Sequence, residues 1–413
     1  MRILIVNKFD RVTGGADTYT LQLLDLLRRR GHTVRLLAGS DGTVGHKGPA
    51  DYLLPLKFTR TWRGRTIGVN TRAVFALGLQ KHSIRRLVSE IASFSPDVIH
   101  MQNLYYQFSP HLITELRRLG APMLQTLHDY SYVCNNNYFY HHGKVCEDCR
   151  ISRLATLVNS CYSESLAAST VAFVLGEWRR LTLGPHGGLD VLLSPSRFLM
   201  DKFLSFGFPK RLLEHVPPFV LTSPTASPSR DSHGFVALFV GRLESYKGAD
   251  VAVEAAIKGA FRLRVVGGGP MLVTLQDRVA AVGARMVEIL GPLDQERVTE
   301  EMNRASVLLV PSRWYENLPM VILEAFRQGL PVFASAIGGI PEAVNDDVGG
   351  LVPPDDPVAL ADAVLKFAAD PAGRARASRL AVSTARTRFS PALHAEHLEA
   401  IYGRLVVETR GPR

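Results

Sequence analysis

Cysteine is scarce: there are four in 413 residues, all between positions 134 and 161. So few exclude the disulfide framework of a small secreted scaffold. Long apolar runs are missing as well. No stretch of eighteen apolar residues is present to cross a bilayer, and Met1 to Asn7 is too short for the apolar core of a signal peptide. These absences set the expectation of a cytoplasmic protein. Acidic residues are in deficit, 38 Asp and Glu against 48 Lys and Arg, giving a formal net charge of +10. The deficit is local, because no acidic residue occurs between Asp51 and Glu90. Such an imbalance points to nucleic acid, anionic lipid or a phosphorylated ligand. No helix-turn-helix signature and no aromatic RNA-binding pattern accompanies it, so nucleic acid is not the expected partner.

The acid-free stretch carries Lys57, Arg60, Arg63, Arg65, Arg72, Lys81, Arg85 and Arg86, interleaved with Phe58, Trp62, Ile67 and Phe75. Two readings fit residues 57–86. One is a surface lying against an anionic membrane, held by roughly 1 kcal/mol per basic residue near the lipid, which would make the protein peripheral on the inner face. The other is a basic helix face with a core side.

An apolar fraction of 46% in this length is ample for two sizeable cores. Short apolar strands alternate with amphipathic helices throughout, which is the rhythm of a parallel α/β protein. The first helix, Gly15 to Arg30, carries the stripe Ala16, Tyr19, Leu23, Leu26 and Leu27 and stops at Gly31. Proline and serine break the rhythm between Pro217 and Gly234. The expected layout is therefore a first domain at 1–218, a linker at 219–234, a second domain at 235–388 and a C-terminal helical tail at 389–413.

The richest segment runs from Pro311 to Ser335. Val307 to Val310 reads as a buried strand, Ser312 to Leu318 as a loop, and Pro319 as the first residue of a helix ending at Gly329. The free amides at that helix start favour an anionic group such as a diphosphate. Glu316 and Glu324 are about 12 Å apart at helical rise, too far to act on one bond but suited to two ends of one polyhydroxylated ligand. Arg242 and Lys247, between Gly241 and Gly248, place two cations after another strand. Fixed cations stabilise the charge that develops on a departing diphosphate without a metal.

Glu316 and Glu324, with seven residues between them, resemble the E-x7-E motif of the retaining GT-B glycosyltransferases of family GT4. Gly241-Arg-Leu-Glu-Ser-Tyr-Lys-Gly248 is similar to the family's phosphate loop. Gly329 to Ser335 followed by Gly338-Gly-Ile-Pro-Glu342 is similar to its next strand and glycine turn. The resemblance implies two Rossmann-like domains facing a central cleft, with the tail crossing back to the first domain. It implies transfer of a hexose-type sugar, with retention, from a nucleotide-sugar donor to a glycan, glycolipid or lipid-linked acceptor in glycoconjugate synthesis, with UDP favoured over GDP. Glu316 would hold donor-sugar hydroxyls with the backbone around Asn317 and Leu318, and Glu324 the ribose. His128, after the strand Met123 to Leu127, matches a histidine that touches the transferred sugar, although a lone histidine is more often structural. Gly15, in Thr13-Gly-Gly-Ala16, is either a donor-side residue or part of a tight turn. Gly269, in Gly267-Gly-Gly-Pro-Met-Leu272, fits a turn near the base. That segment is not a dinucleotide fingerprint, because Leu272 replaces the third glycine.

The cysteines, Cys134, Cys146, Cys149 and Cys161, are spaced C-x11-C-x2-C-x11-C. In a reducing compartment this favours a structural tetrahedral zinc over disulfides. Reduced buried thiols or a redox pair at the C-x-x-C are the competing readings. A subset of surface-polysaccharide enzymes in the family carries a similar insertion, here 134–161. A nucleotide-sugar epimerase of GT-B fold, or a basic zinc-stapled binding protein, are the alternatives for the whole chain.

Overall fold

Ile3, Leu4, Ile5 and Val6 are fully buried in the first strand, β1 (Arg2–Asn7). A run with no polar face is what a parallel strand covered on both sides requires. In this computed structural model the described residues are 1–40, 48–55, 61–62, 65–66, 81–104, 108–162, 164–221 and 234–410. Strands β2 (Thr33–Ser40), β3 (Tyr52–Pro55), β4 (Val98–Met101), β5 (Met123–Thr126), β6 (Val191–Ser194) and β7 (Leu213–His215) join β1 in a seven-stranded parallel sheet. Its spatial order is β7, β6, β5, β4, β1, β2, β3. The helix Gly15–Arg29 seats Tyr19, Leu23, Leu24, Leu26 and Leu27 in the core. Each such side chain contributes about 1.5–3 kcal/mol by leaving water. This sheet belongs to a unit formed by Met1–Phe139, Cys146–Pro217 and His394–Arg413.

The second unit comprises Tyr140–Val145 and Pro218–Leu393. Its strands are β8 (Val236–Val240), β9 (Arg262–Val266), β10 (Val287–Gly291), β11 (Val307–Val310), β12 (Val332–Ser335) and β13 (Gly349–Val352), all parallel, in the order β10, β9, β8, β11, β12, β13. Each unit thus repeats the doubly wound pattern in which connections leave the first strand one way and later reverse. The reversal lies between β1 and β4 in one unit and between β8 and β11 in the other.

Three boundaries differ from those expected. Phe219 and Val220, assigned to the linker, are fully buried, and Val220 packs in the second unit's core with its N–H donating to the Phe389 carbonyl at 3.1 Å. An apolar pair between prolines is core material, and the composition signal came from the serines beyond it. Pro319 is the N-cap (ψ 122°) and the helix starts at Met320. The C-terminal helix, Pro391–Arg410, is longer than the His394 to Val406 pattern implied. Residues 222–233 of the expected linker lie outside the described residues.

The C-terminal helix is joined to the first unit through buried histidines. His394 Nδ1 donates to the Pro217 carbonyl at 2.7 Å, and Tyr19 OH meets its Nε2 at 2.9 Å. His100, on β4, bridges Tyr402 OH at 2.6 Å and Thr126 Oγ1 at 2.8 Å. Outside this network, Glu399 accepts from Arg30 and His32, and the Arg30 guanidinium holds its carboxyl down at about 2.

Burial pushes the His100 imidazole down to about 3 and that of His394 to about 4. Both are neutral in the folded protein, whereas an unfolded histidine titrates near 6.5. Between those values the unfolded chain binds protons that the folded chain does not. Stability is therefore complete above about pH 6.5 and falls as pH drops toward 4, by at most about 1.4 kcal/mol per pH unit for each group. Urea midpoints measured from pH 7 to 4 should fall steeply. His394→Gln should be less stable at pH 7 but show a shallower slope; an unchanged slope would place the acid sensitivity elsewhere.

Candidate functional site

In doubly wound sheets the carboxyl edge at the reversal is where chain connections diverge and leave room for a ligand. In the second unit this edge is formed by the loop after β8 and the loop after β11. Lys247 closes a single 3-10 turn, Ser245–Lys247, and its Nζ donates to Glu316 Oε1 at 2.7 Å. Ser312 Oγ donates to the same oxygen at 2.8 Å. The Glu316 side chain is only 5% exposed, so this charge is held by partners rather than by water.

Arg313 fixes the loop that carries Glu316. Its guanidinium makes two bonds to Asp250, at 2.7 and 2.8 Å, and one to Asp355 at 2.7 Å, and these carboxylates raise its pKa against the opposing effect of burial. Gly338 completes the clamp. Its φ is +62°, a Cβ there would sit 2.2 Å from the Glu316 carbonyl oxygen, and Gly339 N–H donates to that oxygen at 2.7 Å. Only glycine fits this approach.

The remaining donor-side candidates of this unit cluster along the same edge. Arg242 is exposed and its Nη2 donates to Tyr246 OH at 2.7 Å. The glycine loop after β9 lies on the loop after β8: Gly241 N–H donates to Val266 O at 3.0 Å and Leu243 N–H to Gly268 O at 2.9 Å. Gly269, at φ +155°, permits this, because a Cβ would stand 2.6 Å from Leu243 O. Asn317 and Leu318 are buried and lead into the Met320–Arg327 helix, whose first amides have no side-chain cap. Those amides are available to an anion. Glu324 lies in the second turn; burial raises its carboxyl pKa and Arg327 opposes the rise.

Gly15 and His128 belong to the first unit. Gly15 is exposed and opens the first helix; two residues on, Asp17 is buried and accepts from Thr13 N–H at 3.1 Å and from Asn7 Nδ2 at 3.0 Å. His128 follows β5 next to Asp129, and burial pushes its imidazole down to about 4. Its Nε2 meets Gln102 Oε1 at 2.9 Å, and Tyr19 packs edge-on at 5.4 Å between ring centroids. These residues stand beside the reversal between β1 and β4, where Asn7 Oδ1 accepts from Asn103 N–H at 3.3 Å.

The four cysteines act on one another: Cys134 shares a hydrogen bond with Cys149, and Cys149 and Cys146 act electrostatically on Cys161. Among the described residues no group of three or more His, Cys, Asp or Glu is already arranged as a metal site. Cys134 is buried and donates to Asn136 Oδ1 at 2.9 Å. Its bond to Cys149 holds the Cys149 thiol down at about 6, while burial raises Cys146 and lifts Cys161 to about 12. Cys161 Sγ lies 3.8 Å from the Ala155 carbonyl.

Of the basic stretch 57–86, most lies outside the described residues. Its end forms the helix Lys81–Ala92, with Ile84, Leu87, Val88 and Ile91 buried and Lys81, Arg85 and Arg86 exposed. Here the reading of a basic face with a core side applies. Among the described residues no helix is long and apolar enough to cross a membrane.

Sequence reasoning missed Ser312, Arg313, Asp17 and Gln102. Ser312 and Arg313 lie inside the loop read at Ser312 to Leu318, and Gln102 follows β4 at the carboxyl edge, so position after a strand end was the one available signal.

Removing Lys247 strands the Glu316 carboxylate. Lys247→Met should lower stability by roughly 1–3 kcal/mol, less than for a fully buried pair because the lysine is partly exposed. Lys247→Met with Glu316→Gln should recover most of that loss in denaturant titrations. If the double variant is no more stable than Lys247→Met, the pair is not what holds this loop.

The sequence was compared with known proteins. The profile described as "Glycosyltransferase Family 4" matches residues 13–223, and that described as "Glycosyl transferases group 1" matches residues 226–383. A D-inositol 3-phosphate glycosyltransferase of Acidothermus cellulolyticus is 35% identical over 193 residues, covering 43% of this chain and 42% of the relative. A GDP-mannose-dependent alpha-(1-6)-phosphatidylinositol monomannoside mannosyltransferase of Mycolicibacterium smegmatis is 33% identical over 205 residues, covering 44% and 54%. The matched part thus spans about half or less of these curated relatives. In fold, the chain resembles HepE of Anabaena in complex with UDP (TM-score 0.69, 17% identity, 98% of this chain and 100% of that one). It also resembles sucrose-phosphate synthase from Thermosynechococcus elongatus (TM-score 0.71, 20% identity, 98% and 99%). With matching profiles across both units and a GT-B fold, this chain belongs to glycosyltransferase family 4.

Proposed function

We propose that the chain transfers a hexose-type sugar, with retention of anomeric configuration, from a nucleotide-sugar donor to a hydroxyl of a glycan, glycolipid or lipid-linked acceptor. The observation that carries this reading is the Lys247, Glu316 and Ser312 cluster at the reversal of the second sheet, beside an uncapped helix start. Lys247 and Arg242 take the diphosphate, whose charge grows as the bond to the sugar breaks. Glu316 Oε1 is held by Lys247 and Ser312, which leaves Oε2 to accept from a sugar hydroxyl. The Lys247 to Glu316 contact of 2.7 Å suits one ligand in which phosphate and sugar are adjacent. Glu324 takes the ribose hydroxyls. Asn317 and Leu318 present backbone to the sugar, and Gly241 and Gly269 let backbone approach the nucleotide.

His128 meets the transferred sugar as a neutral imidazole, and Gly15 borders it. No general base is assigned. In the retaining pathway proposed, the leaving phosphate takes the acceptor proton on the face from which it departs. The base is proposed to be uracil, on the UDP bound to one fold relative; a GDP-mannose-dependent sequence relative is the reason to test guanine beside it. Peripheral attachment through residues 57–86 at the inner membrane face goes with a lipid-linked acceptor and would show as co-sedimentation with anionic vesicles.

Calorimetric titration with UDP, GDP and their sugar conjugates tests the donor reading. One nucleotide family should bind, and Glu324→Ala should weaken it about tenfold, one charge-assisted hydrogen bond's worth. No binding by any of them to folded protein overturns the reading. Proton NMR of the first product formed decides retention against inversion.

A further inference from the structure

Gln102 is fully buried at the end of β4, and its main chain is fixed on both sides. Its N–H donates to Val6 O at 2.8 Å, and its carbonyl accepts from Gln125 Nε2 at 2.9 Å. Gln125 is itself held, its Oε1 accepting from Tyr132 OH at 2.6 Å. The Gln102 carboxamide itself makes one hydrogen bond among the described residues: its Oε1 lies 2.9 Å from His128 Nε2. An amide oxygen only accepts, so the ring nitrogen facing it must carry the proton. The pair borders a crevice, with Asn103, Gln125, Asp129 and Ser131, that is too narrow for a water molecule.

We infer that Gln102 is a positioning residue that fixes His128 as the Nε2–H tautomer, so that His128 presents Nδ1 as a hydrogen-bond acceptor. A bare ring nitrogen accepts from a hydroxyl of a neutral, polyhydroxylated ligand and offers no donor to a phosphate. This inference rests on the reading that His128 meets a sugar.

The test uses the full chain with ¹³C,¹⁵N-histidine, long-range ¹H–¹⁵N spectra at pH 7.5, and assignment of the His128 ring by comparison with His128→Gln. The wild type should show Nε2 protonated and Nδ1 bare. Gln102→Leu should mix the two tautomers and lower kcat/KM by roughly tenfold or more, the equivalent of one lost hydrogen bond. Gln102→Glu, which keeps an acceptor facing Nε2, should restore the tautomer. A wild-type ring protonated at Nδ1 overturns the inference without reference to any variant. So does a Gln102→Leu protein with unchanged tautomer and unchanged kcat/KM. Absence of turnover with every nucleotide sugar, alongside a wild-type Nε2–H signal, would instead sink the transferase reading and leave the tautomer assignment standing.

Discussion

A parallel sheet whose connections reverse direction between two neighbouring strands cannot cover its own carboxyl edge at that point, and both units of this chain are organised around such a reversal. The second unit exploits it with a charge pair. Lys247 reaches the edge from the loop after β8 and Glu316 from the loop after β11, and they meet across the gap. Around that contact the rest of the edge is over-determined: Arg313 ties its loop to Asp250 and Asp355, and the Gly338 turn closes on the Glu316 main chain. The rigidity resides in backbone and clamp.

The first unit treats the same topological gap differently. Asn7, Gln102, Asn103 and His128 are brought together there at the ends of β1, β4 and β5, and amide and imidazole groups rather than a lysine–glutamate pair make the contacts. Asp17, in the first turn of the helix, is bonded to Asn7 and Thr13. The two sheets share an order of strands and differ in the chemistry of the residue that follows each strand.

Most of the architecture could be read from the sequence because parallel strands are short, apolar and bounded by glycine or proline. Val307 to Val310 matches the observed strand residue for residue. The motif residues Arg242, Lys247 and Glu316 were visible because they sit on segments with glycine and proline punctuation, and Glu324 because it lies on the helix that such a segment opens. Gln102 and Ser312 were not, since an amide or hydroxyl after a strand looks like any polar loop residue until a partner from a distant segment appears. Phe219 and Val220 are core residues hidden by a proline-rich and serine-rich context.

The first unit is discontinuous: its sheet is complete by His215, yet the helix that packs against it with His394, Glu399 and Tyr402 comes from the end of the chain. During synthesis the sheet of this unit must therefore wait, with Tyr19 and His100 lacking their final neighbours, until the whole second unit has emerged. The unit that begins first is finished last. Domains usually mature in the order they are made, so this chain inverts the usual sequence, and its C-terminal twenty residues act as the closing step of assembly rather than as an appendage.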